Sequence, residues 1–100
     1  MTIPKLKTNP AARLLADALE HEEIKAAQAA RDMGIPRSRL SDIFAGRKGV
    51  SADTALRIER YLGISAILLM RLQSDFDLSR AATEKGDQIK KSVRRHLAGA

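Results

Sequence analysis

The chain has 100 residues, 44% of them hydrophobic, with a formal net charge of +6, three aromatic side chains and no cysteine. That length holds one small domain, and the lack of cysteine removes disulfides, thiolate zinc sites and cysteine nucleophiles together. With so few aromatic residues the core must be aliphatic and alanine-rich, which favours an all-α fold.

Residues 1–8 read as an N-terminal arm carrying Lys5 and Lys7. Neither the arm nor any later run has the apolar length of a secretory signal or of a membrane span of ~18 residues, so a cytoplasmic protein with no membrane partner is expected. Asn9-Pro10 starts a first helix, with a capping side chain before a proline and Leu14, Leu15, Ala18 and Leu19 at helical spacing as far as about Glu22. A second, short helix covers about Lys25–Met33 and packs through Ala29, Ala30 and Met33 until Gly34 ends it. Pro36 begins a third over about Arg37–Ala45, with Leu40, Ile43 and Phe44 as its expected buried side and Gly46 as its stop.

Ser51 caps a fourth helix whose expected apolar stripe is Ala55, Leu56, Ile58, Tyr61 and Leu62, closed by Gly63. Ser65 caps a fifth, "SAILLMRLQSDFDL", apolar round most of its circumference. Such a helix is either the central core helix or one that meets a second copy, and Leu68, Leu69, Met70 and Leu72 are the candidate seam of a homodimer. From Ser79 a basic tail repeats Ile89, Val93 and Leu97 at four-residue steps. It is either an amphipathic helix packed on the domain or a dimer mate, or a mobile arm that adds phosphate contacts, and Gly86 is expected to interrupt any single helix. The boundaries are thus an arm over 1–8, a five-helix domain over 9–78 and a tail over 79–100.

Divided along the chain, the charge is zero over residues 1–35, +3 over 36–50, −1 over 51–78 and +4 over 79–100. Excess confined to two segments points to a polyanion more than to general solubility. The first segment, "PRSRLSDIFAGRKG", belongs to a recognisable frame: Ala26, Ala30, Gly34, Leu40 and Ile43 fall at relative positions 1, 5, 9, 15 and 18. A helix-turn-helix needs this spacing, because the small residue at position 5 lets the helices approach and the glycine makes the tight turn. A small bundle can reach the same spacing by chance, but chance does not explain cations at a helix start, where the dipole disfavours them. Phosphates and guanine edges lying opposite would. Arg37, Ser38 and Ser41 are therefore the expected groove-facing residues, with Arg39 reading a base or holding a flanking phosphate. Arg47 and Lys48 suit phosphates, and Lys25 is either a backbone contact or a solvated lysine.

"MGIPRSRLSDIFAGRKGVSADTALRIERYLGIS" followed by "LQSDFDL" resembles the HigA family of antitoxins, XRE-type helix-turn-helix proteins, over about residues 10–78. The resemblance implies a five-helix, lambda-repressor-like domain in a homodimer that represses its own operon at an inverted-repeat operator. It also implies a small, basic endoribonuclease toxin of the RelE or HigB type as partner. Asp17, Glu20, Glu22 and Glu23 place four carboxylates within seven residues, a face that either suits such a partner or is simply solvated. A free-standing repressor without a toxin is the alternative, since the DNA-binding half is common to both. An enzyme is not expected: His21-Glu22-Glu23 lacks the second histidine of a metal-binding helix, His96 stands alone, and no metal or cofactor is implied.

Overall fold

The computed structural model describes residues 3–97. They form α1 (Pro10–His21), α2 (Ala26–Met33), α3 (Arg37–Phe44), α4 (Ala52–Leu62) and α5 (Ala66–Ser92), with no strand among the described residues. Local chemistry sets most of the boundaries. Side-chain oxygens of Asn9, Ser51 and Ser65 accept from the backbone N–H of Ala11, Thr54 and Leu68, which are donors that a helix start leaves unpaired. Gly34 and Gly63 end α2 and α4 in left-handed conformations that cost a glycine nothing.

The core lies where α1, α4 and α5 enclose the α2–α3 pair, with Leu15, Leu40, Ile43, Val50, Ile58 and Leu69 fully buried. Each such side chain contributes about 1.5–3 kcal/mol by leaving water. Ala29 and Ala30 are buried on α2, so small residues let α2 and α3 meet closely. Three side chains depart from the sequence expectation. Phe44 is 38% exposed rather than buried, because it is the last residue of α3 and points past the core. Leu56 is 61% exposed and lies on a groove of about 600 Å³ between α4 and α5. Leu69 is 0% exposed, so it belongs to the protomer's own core and offers no surface to a seam; Leu68 is exposed and Met70 and Leu72 are half-buried.

The tail departs further from expectation. α5 runs without a break across position 78 and through Gly86 to Ser92. One glycine inside a helix costs about 1 kcal/mol relative to alanine, which good helix formers on both sides can offset. Ile89, Val93 and Leu97 do not pack on the domain; all three are exposed.

One polar group joins three parts of this fold. Gln73 is buried on α5, and its Oε1 accepts from Asn9 Nδ2 and from the backbone N–H of Val50, both at 2.7 Å. Its Nε2 donates to Asp77 Oδ1 at 2.9 Å. The start of α1, the loop between α3 and α4, and α5 therefore share one carboxamide, and no buried side-chain polar atom among the described residues is left unpaired. Gly49 makes room for it: a Cβ there would lie 2.5 Å from Gln73 Nε2 and 2.8 Å from its Cδ. Gln73→Leu should destabilise the domain by about 1–3 kcal/mol for each buried donor left without an acceptor. Gly49→Ala should cost stability by pushing the same amide off its partners. In a Gln73→Ala background the Gly49→Ala cost should largely vanish, and urea unfolding of the two single variants and the double variant checks this coupling.

Candidate nucleic-acid interface

α3 crosses α2 through the turn at Gly34, and the turn is held from behind by α4. Arg57 Nη1 donates to the carbonyl oxygen of Met33 at 2.9 Å, and its Nε donates to Asp53 Oδ1 at 2.7 Å. Tyr61 adds a second tie, its hydroxyl donating to Asp32 Oδ2 at 2.6 Å. Donation to that carboxylate, with partial burial behind it, pushes the Tyr61 hydroxyl above its ordinary value of 10.0. Sequence reasoning missed both ties. The only signal for Arg57 is its place four residues after Asp53, a spacing that is common on any helix surface.

Thus braced, α3 presents Arg37, Ser38, Arg39 and Ser41 to solvent, and the loop after it presents Arg47 and Lys48. Ser38, Arg39 and Lys48 line one shallow cleft together with Pro36, Asp42 and Ser51. Asp42 organises the loop: its backbone carbonyl accepts from the N–H of Arg47 and of Lys48, and its Oδ1 accepts from Arg47 Nε at 2.7 Å. Lys48 Nζ stands 4.0 Å from the same carboxylate, and Arg39 Nη1 stands 3.9 Å from Asp53. Arg37 forms no ion pair among the described residues, so it is the α3 cation left free to reach outward. Lys25 is exposed at the start of α2, apart from the α3 cleft.

α2 and α3 are the helices whose starts carry no side-chain cap; the residues there are Lys25 and Pro36. Their first-turn N–H groups lack side-chain acceptors, and two cations stand in the first turn of α3 where the dipole is positive. An anion outside the protein would answer both conditions. The acidic set lies elsewhere, at the end of α1. Asp17 is paired with Arg13 at 3.4 Å, whereas Glu20, Glu22 and Glu23 are exposed and form no ion pair among the described residues. His21 ends α1, and His96 lies in the exposed stretch after α5. No helix among the described residues is long and apolar enough to cross a membrane.

The sequence profile of the helix-turn-helix family matches residues 15–69. Virulence-associated protein I of Dichelobacter nodosus is 32% identical over 90 residues, covering 85% of this chain and 83% of that protein. The structure of the Pseudomonas aeruginosa antitoxin HigA with the higBA promoter is 32% identical, covers 92% of this chain and all of that one, and superimposes with a TM-score of 0.82. Antitoxin GraA in complex with its operator is 31% identical over 98% of this chain and all of its own, with a TM-score of 0.76.

Proposed function

This chain belongs to the HigA family of helix-turn-helix antitoxins, and from that premise we propose that it is a homodimeric repressor that reads an inverted-repeat operator and silences a small endoribonuclease toxin. The observation that carries the reading is the start of α3, where Arg37, without an ion pair among the described residues, and uncapped N–H groups stand together on an exposed face. Arg37 is the residue for a bidentate contact to guanine, with Ser38 and Ser41 beside it, and such a contact is worth about 1–3 kcal/mol of discrimination. Arg39, Arg47 and Lys48 serve phosphates, pre-positioned by Asp53 and Asp42. Lys25 adds a phosphate contact from the start of α2.

The dimer seam is assigned to the outer side of α5. Leu68, Met70 and Leu72 keep their place in it, and the 69% exposed Ile67 joins them, lining the α4–α5 groove with Leu56. Arg71 and Asp75 lie one turn apart on the same groove and have no ion-pair partner among the described residues. Antiparallel pairing of α5 about a twofold axis midway between them sets Arg71 of one protomer against Asp75 of the other, twice over, which is the self-complementarity that such an axis demands. The toxin surface is assigned to the exposed end of α1, on Asp17, Glu20, Glu22 and Glu23, because an RNA-cleaving partner is basic.

Two titrations check these assignments. Arg37→Ala should lose affinity mainly for the operator, by roughly tenfold or more, whereas Lys48→Ala should weaken all duplexes alike and lower the salt slope by about one unit. Equal losses on operator and random DNA from both variants would sink the division of roles. Glu20→Lys combined with Glu23→Lys should slow association with the basic protein encoded beside this chain and leave operator preference unchanged. Unchanged association would remove the acidic face as the toxin surface, and absence of any such partner would leave a repressor alone.

A further inference from the structure

α5 outlasts the domain that it supports. Leu69, Gln73, Phe76 and Ser79 bury its first half, but from Arg80 to Leu97 every residue except Gly86 is exposed. The molecule measures 58 × 24 × 21 Å, in keeping with a helix of 27 residues that runs on past the bundle. This projecting part is strongly basic. Residues 79–100 carry +4, and of their cations Arg80 alone has an ion pair among the described residues, with Glu84 at 3.8 Å. Lys90 and Lys91 sit in the last turn, where the helix dipole welcomes them. Lys85, Arg94 and Arg95 lie outside that turn and gain nothing inside the protomer.

The extension leaves the domain beside an already cationic surface. Arg80 lines a groove of about 580 Å³ with Lys7, Arg13, Phe44 and Gly46, and Gln73 binds the backbone of Val50. The helix thus emerges beside Gly46, the residue that precedes Arg47 and Lys48 in the α3–α4 loop, with Lys7, Arg13 and Arg80 on the groove between. The N-terminal arm stays with it, Leu6 N–H donating to Ser79 Oγ at 2.8 Å. Continuity with the phosphate-contacting loop selects the polyanion: the same duplex, beyond the bases that α3 reads.

We propose that the α5 extension and the stretch after it form a second, sequence-independent DNA contact, in which Lys85, Lys90 and Lys91 of the helix and Arg94 and Arg95 beyond it lie along phosphates flanking the operator. The inference rests on the operator-binding reading of α3 and adds a surface to it. Its energetic signature is counterion release without base discrimination.

The test is a full-length triple variant, Lys85→Gln, Lys90→Gln and Lys91→Gln, which keeps good helix formers at exposed positions and should match the wild-type helical content by circular dichroism. Binding is followed by fluorescence anisotropy against salt on duplexes of about 40 base pairs, long enough to pass beyond two half-sites one helical turn apart. One duplex carries the promoter of its own operon and the other a random sequence. The variant should bind both more weakly, with a salt slope lower by up to about 3 units, ~0.9 for each phosphate no longer neutralised, and an unchanged preference for the promoter. Superimposable slopes on the random duplex would overturn the proposal. So would an unchanged slope accompanied by loss of binding to anionic phospholipid vesicles, which would make the extension a membrane-surface helix. Failure of the wild-type chain to prefer its promoter would count against α3 as the reader and not against the extension, whose slope on random DNA is read separately.

Discussion

The carboxamide of Gln73 is where the start of α1, the loop between α3 and α4, and the core-facing side of α5 meet. A buried amide is tolerated only when its hydrogen-bonding capacity is used, and here the two short bonds to Oε1 and the bond from Nε2 use it. The consequence reaches the surface. The loop anchored through Val50 is the one that carries Arg47 and Lys48, so the position of these two exposed cations is fixed by a group in the interior. Gly49 belongs to the same device, because any larger residue would displace the amide that holds its neighbour.

α3 illustrates a different balance. Placing Arg37 and Arg39 at the positive end of a helix lowers the stability of the free protein slightly, and leaving that helix start without a side-chain cap lowers it again. Asp42 and Asp53 moderate the charge without cancelling it, since Arg37 keeps no partner among the described residues. Local rules are broken together at one site, and the same ligand would satisfy each of them. That coincidence is a stronger pointer to a binding surface than net charge.

Much of this is legible in the sequence because it is coded locally. Asn9, Ser51, Ser65, Gly34 and Gly63 mark helix ends through capping chemistry that needs no tertiary context, and the Ala30–Gly34–Leu40 spacing reports close helix packing directly. Periodicity fails where it has to choose between neighbours on a nearly all-apolar helix. On α5, Leu69 goes to the core while Ile67 and Leu68 stay at the surface, a difference of one or two residues that only the direction of packing decides. Phe44 and Leu56 mislead for the same reason. Gly86 suggests a break because its cost is visible in the sequence, whereas the support from the residues around it is not. Gln73, Arg57 and Tyr61 escape notice as supports of the site because their partners are 23 to 64 residues away in the chain, beyond what spacing reports.

If the start of α3 enters the major groove at two half-sites, guanine N7 must be covered there, since it lies on the major-groove edge that an arginine would grip. Methylation interference on the promoter duplex examines this most directly. The expected result is interference at guanine N7 in two clusters about one helical turn apart, matching a twofold pair of α3 helices. Interference confined to adenine N3 in the minor groove, or spread evenly along the duplex, would contradict it.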